Sequence, residues 1–93
     1  MKTATKWDAS EYLETEEDMA AYLNAALEDG DTSVVAAALG DIARAKGMTQ
    51  LSKETGITRD GLYKALSPTG NPSFDTVQKV VKAFGLKLDV ATA

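Results

Sequence analysis

"MTQLSKETGITRDGLYKALS", residues 48–67, sets two short amphipathic segments on either side of a glycine. Thr49 can cap the first and Gly56 stops it; Thr58 caps the second. Glycine adopts positive φ without strain, which a tight turn between two steeply crossed helices requires. Leu51, Ser52, Ile57, Leu62 and Ala65 stand where side chains must fill the angle between such helices, and Ser52 is small enough for a close crossing. That arrangement leaves Thr58, Arg59, Asp60, Tyr63 and Lys64 on the outer face of the second helix, where a core has no use for them.

In a helix-turn-helix the second helix enters the major groove by its N-terminal part. Arg59 can bond a guanine through O6 and N7, and Asp60 can accept from cytosine N4 or orient Arg59. Lys64 can meet guanine or phosphate, and Tyr63 can donate to phosphate or pack on a thymine methyl. Thr49 and Gln50 open the preceding helix, where free backbone N–H groups favour a phosphate. Asn71, Lys46 and Lys79 can add backbone contacts. Gly61 counts against this role, because it loosens the helix that must be rigid. The competing interpretation is a glycine-linked helix pair in a small bundle, with solvated outer faces.

Outward from this stretch, helical periodicity continues in both directions. In "SEYLETEEDMAAYLNAALEDG", Asp8 or Ser10 can cap a first turn around Glu11 to Leu13. Thr15 and Asp18 resemble a capping box. Met19, Tyr22, Leu23, Ala26 and Leu27 recur at helical spacing, and Gly30 ends the helix. "DTSVVAAALGDIARAKG" is a helix capped by Asp31, Thr32 or Ser33, with a Val35, Leu39, Ile42 and Ala43 stripe and Gly47 as its stop. Gly40 falls mid-helix, at a cost of about 1 kcal/mol against Ala; a close packing partner or a weak helix accounts for it. "SPTGNP" is a loop. "SFDTVQKVVKAFG" is a helix from a Ser73 cap to Gly85, with Phe74, Val77, Val80, Val81 and Phe84 as its buried face. "LKLDV" alternates as a half-buried strand does, with "TATKW" or a second copy of the chain as its pairing partner.

Ninety-three residues suit one domain. Cysteine and histidine are both absent. The first absence removes disulfides and thiolate metal sites, and the second removes the commonest general base and metal ligand. Neither a cofactor nor a metal site is expected, and the chain does not read as an enzyme. Paired carboxylates such as Glu16 with Glu17, or Glu28 with Asp29 and Asp31, lack calcium-loop spacing and read as a solvated acidic face. No apolar run approaches the roughly 18 residues of a membrane span, and "MKTATKWDAS" has no secretory h-region, so the cytoplasm is the default location. The net charge of −4 hides a division. Residues 1–43 carry two lysines against ten acids, a net of −8; residues 44–93 carry eight Lys or Arg against four acids, a net of +4. The division suggests two surfaces with different partners, or else a set of solvated helix faces.

The stretch "AAALGDIARAKGMTQLSKETGITRDGLYKALS", the entry into the last helix "GNPSFDTV" and the N-terminal "WDASEYLETEEDMAAYL" together resemble the Cro/C1-type helix-turn-helix proteins. More narrowly they resemble the HigA-like antitoxins, the addiction module antidote proteins. The resemblance covers nearly the whole chain, and "GNPSFDTV" following "LYKAL" is its more specific part. It implies an all-α, lambda-repressor-like five-helix fold with an N-terminal helical extension and a short C-terminal strand; residues 31–93 are then the helix-turn-helix DNA-binding domain and residues 1–30 an acidic helical segment packed on the same domain. It also implies a homodimer on the module's own promoter and a small basic RelE/ParE-superfamily toxin as partner. Thr58, Arg59, Asp60, Tyr63 and Lys64 then fall on the recognition helix, with Thr49 and Gln50 at the start of the supporting helix. The alternative is a phage-type repressor without a toxin. Glu11, Glu14, Glu16, Glu17, Asp18, Glu28 and Asp29 can steer a cationic partner. Tyr12, Met19, Tyr22 and Leu23 can anchor it, although Met19 and Leu23 fit a core stripe better. Trp7 is either a lid on the core or a partner contact, with the lid slightly favoured.

Overall fold

The computed structural model describes residues 13–93. They form five α-helices: α1 Glu16–Asp29, α2 Thr32–Lys46, α3 Met48–Thr55, α4 Arg59–Ala65 and α5 Phe74–Ala83. The helix of the acidic N-terminal segment is thus the first of the five rather than an addition to them. Four helices start on a side-chain cap that the local sequence specifies. Thr15 and Asp18 form the reciprocal capping box at α1. Asp31 accepts from Ser33 N at α2, Thr58 from Gly61 N at α4, and Ser73 from Thr76 N at α5. Each bond satisfies a backbone donor that the first turn would leave unpaired.

The start of α3 differs from expectation. Thr49 does not cap it; the N-cap lies two residues earlier, at Gly47 with φ 107°, and has no side-chain cap. Gly47 also closes α2, its N–H bonding Ala43 O. One residue serving both helices leaves no room for a hydroxyl cap between them.

The core is one cluster to which every helix contributes. Leu39 and Ile42 of α2, Leu51 of α3, Leu62 of α4, Val80 and Val81 of α5 and Phe84 beyond it are fully enclosed. Met19, Leu23 and Ala26 of α1 join them, as a stripe at that spacing should. α1 packs on α2, α2 also meets α3 and α4, and α5 closes on α3. Gly40 is explained by a close crossing: a Cβ there would overlap the Leu66 carbonyl oxygen at the end of α4.

Two apolar expectations fail. Phe74 is 68% exposed, not buried. As the first residue of α5 it projects beyond the turn on which Val77, Val80 and Val81 pack. Leu27, counted in the α1 stripe, is likewise exposed. The C-terminal strand is also absent, and residues 86–93 adopt no regular structure. A strand needs a neighbour to complete its hydrogen bonds, and no strand occurs among the described residues. The expectations for Trp7, Tyr12, "TATKW" and a turn around Glu11 lie outside the described residues.

Candidate nucleic-acid interface

The angle between α3 and α4 is set by local bonds as well as apolar packing. Gly56 closes α3 in the left-handed conformation, φ 76°, its N–H bonding Ser52 O. Ile57 and Thr58 then lead directly into α4. Across this turn the Ser52 hydroxyl donates to the Ile57 carbonyl at 2.5 Å. The Thr55 hydroxyl donates to Leu51 O at 2.8 Å and accepts from Ile57 N at 3.2 Å. Beneath these bonds Leu51 and Leu62 are buried, with Ile57 and Ala65 half-buried against the same cluster. The five positions expected to brace the helix pair all face inward, and Ser52 adds a hydrogen bond that small size alone did not suggest.

With Leu62 and Leu66 inside, the opposite side of α4 faces solvent. Residues four apart on a helix share a face, which aligns Arg59 with Tyr63 and Asp60 with Lys64. All four are exposed. Asp60 pairs with Lys64 at 3.4 Å, not with Arg59. Arg59 makes no hydrogen bond or ion pair with another described residue. The Thr58 hydroxyl is occupied as the helix cap, accepting from Gly61 N at 3.0 Å. The glycine that weakens α4 therefore also supplies the N–H that fixes its start.

Thr49 and Gln50 lie in the first turn of α3, exposed, and Gln50 donates to Glu54 at 2.9 Å. The α3 N-terminus has no side-chain cap, so its first N–H groups keep their donor capacity. Asn71 is exposed in the loop between α4 and α5. No hydrogen bond or ion pair joins Thr49, Gln50 or Asn71 to the α4 face among the described residues. Of the two accessory lysines, Lys79 pairs with Asp75 at 3.0 Å, whereas Lys46 has no such partner among the described residues. Gly70 folds the loop back so closely that a Cβ would meet the carbonyls of Lys64 and Ala65.

The second charged surface lies on α1. Glu14, Glu16, Glu17, Asp18, Glu28 and Asp29 are all exposed. Tyr22, considered as a partner anchor, is half-buried and donates to Asp41 at 2.5 Å; Arg44 pairs with the same carboxylate. Burial, then the Asp41 hydrogen bond and charge, push the Tyr22 phenol up to about 12. The trio ties α1 to α2. Sequence periodicity missed it because it saw Tyr22 only as apolar.

Among the described residues no polar or charged side chain is buried, and no three His, Cys, Asp or Glu come together to hold a metal ion. No helix among them is long and apolar enough to cross a membrane. A small all-helical fold with an exposed polar face on a short, doubly braced helix points to a regulatory protein. Residues 3–92 match the family described as "Probable addiction module antidote protein", and the chain belongs to that family. It is also 50% identical over 84 residues to an uncharacterized protein of Haemophilus influenzae, covering 90% of this chain and 87% of that protein. No solved structure matches.

Proposed function

We propose that this chain is the antitoxin of a type II toxin–antitoxin module, of the HigA-like, Cro/C1-type group, and that it represses its own operon. In this account α3 and α4 are a lambda-repressor-like helix-turn-helix. As a homodimer the protein sets two copies of α4 into successive major grooves, about 34 Å apart or a multiple of that. The observation that carries the proposal is Arg59. It is exposed and uncommitted at the first turn of a capped helix whose reverse side, Leu62, is locked in the core. A guanidinium so held can offer two parallel donors to a guanine edge. Tyr63 and Lys64 stand beside it, while the uncapped start of α3 at Thr49 and Gln50 offers N–H groups to phosphate. Thr58 contributes as the cap, and Asn71 as a flanking contact.

The acidic face of α1 then serves the other partner, a small basic toxin of the RelE/ParE superfamily. Opposite charge speeds encounter and orients the approach. The division of charge keeps the two partners apart, with DNA on the basic C-terminal half and the toxin on the acidic N-terminal half. Membership of the antidote family supports the toxin partner.

The test is co-purification of the chain with the product of the adjacent gene, followed by gel shift on the promoter the two genes share. A small basic neighbour that co-purifies, and a complex on that promoter, are expected. A promoter complex without any toxin neighbour would favour the phage-type repressor. Absence of a DNA complex at low salt would remove the repressor role.

A further inference from the structure

Residues 86–90, Leu-Lys-Leu-Asp-Val, have the alternation of a strand but pair with nothing among the described residues. Leu86 N reaches back to Val81 O at 3.1 Å; the N–H groups of Lys87, Leu88 and Asp89 donate to no other described residue. Two of the segment's three apolar residues reach the helices. Leu86 is half-buried against the core, and Leu88 lines a groove that also includes Leu23 and exposed Leu27 of α1. Val90 is 93% exposed, with nothing among the described residues to cover it. A free strand edge of this kind is completed by another strand.

The sequence specifies which strand. In an antiparallel pair centred on Leu88, residues equidistant from that centre stand opposite one another. Leu86 then faces Val90 of the second copy, Leu88 faces its own counterpart, and Lys87 faces Asp89. The two-fold axis forms both Lys87–Asp89 pairs at once, and opposite charges directly across a ladder are stabilising. Centring the pair on Lys87 would oppose lysine to lysine, and centring it on Asp89 would oppose aspartate to aspartate. Parallel pairing would also bring like charges together. One register satisfies both the apolar and the charged faces.

We propose that residues 86–90 are the seam of a homodimer, each copy supplying one strand of an antiparallel pair centred on Leu88. The proposal rests on the dimeric reading above and names the surface that builds the dimer. It accounts for a strand pattern without a strand, because the ladder exists only between copies. A two-stranded ribbon is marginal in water, and here the α1 groove gives its apolar face a floor.

The test is sedimentation of the full chain over a concentration series, for the wild type, Lys87→Asp, Asp89→Lys, the double exchange and Val90→Asp. The wild type should dimerise. Each single charge reversal turns both cross-strand pairs into like-charge contacts and should weaken association by about tenfold or more. Mixing the two single variants, or combining them in one chain, should restore dimerisation towards the wild type. Val90→Asp should weaken it without lowering monomer stability, since Val90 is exposed in the monomer. A wild type that stays monomeric at all concentrations would overturn the proposal. A dimer indifferent to the single reversals would overturn the seam alone and leave a dimeric operator-binding protein standing. Failure of a wild-type dimer to bind its promoter would instead remove the DNA-binding function and leave the seam intact.

Discussion

The Ser52 hydroxyl donates to the Ile57 carbonyl at 2.5 Å, tying the body of α3 to the turn that launches α4. The bond spans the glycine of the turn and supports the direction in which α4 leaves. Ser52→Ala removes the donor and strands a part-buried carbonyl, which should cost about 1 kcal/mol in denaturant unfolding. Ser52→Leu should cost more, because it forces the two helices apart. If Ser52→Ala left stability unchanged, the turn would be held by Leu51 and Leu62 alone.

Gly40 gives a prediction whose sign decides its cause. Helix propensity favours Gly40→Ala by about 1 kcal/mol. The close crossing on the Leu66 carbonyl opposes it, since the added methyl has nowhere to go. Overpacking should win, with a net destabilisation of about 1–3 kcal/mol by thermal or denaturant melting. A stabilised variant would show that α2 and α4 can separate at that point.

Tyr22 links stability to alkaline pH. Its phenol is held protonated up to about 12 in the folded chain, above the ordinary value of 10. The neutral phenol therefore contributes stability that is fully present below pH 10 and is lost as pH rises towards 12. The stability difference between wild type and Tyr22→Phe should shrink across that window. The 295 nm absorbance of the native protein should lose a phenol titrating at about 12 in the variant. A constant difference from pH 8 to 11.5 would show that burial and the Asp41 hydrogen bond do not hold the Tyr22 phenol protonated.

Leu62 is fully buried on the inner side of α4. Leu62→Ala should cost about 2–5 kcal/mol, a large part of the stability of so small a domain. Tyr63→Ala, on the outer side, should change stability by no more than about 0.5 kcal/mol. Parallel denaturation curves for the two variants check the orientation of the helix. Equal losses would mean that α4 is turned differently.

Most of the helical frame was legible because its signals are local. The Thr15–Asp18 box and the Asp31, Thr58 and Ser73 caps each involve residues two or three apart, so sequence spacing is enough to find them. The inward set Leu51, Ile57, Leu62 and Ala65 was legible for the same reason. Periodicity failed where burial depends on what lies opposite. Phe74 keeps the phase of Val77 and Val81 but sits one turn beyond any neighbour. Leu27 keeps the phase of Leu23 but lines an open groove and stays exposed. Gly40 was ambiguous until Leu66, 26 residues away, was placed against it. The α4 face was legible as a set of residue types, yet the pairing within it was not: Asp60 holds Lys64 and leaves Arg59 free. That choice depends on side-chain geometry: Asp60 could equally have oriented Arg59, and only the placed side chains show which partner it takes.

Fluorescence anisotropy of the labelled promoter, titrated with wild type, Arg59→Ala and Lys64→Ala at several salt concentrations, tests the central claim most directly. If Arg59 reads a guanine, its loss should weaken binding by about 1–3 kcal/mol and relax preference at one base position in each half-site. Loss of Lys64, if it meets phosphate, should weaken all sequences alike and lower the salt slope by about one. Wild-type affinity, base preference and salt slope in both variants would contradict the account and leave the outer face of α4 without a role in DNA recognition.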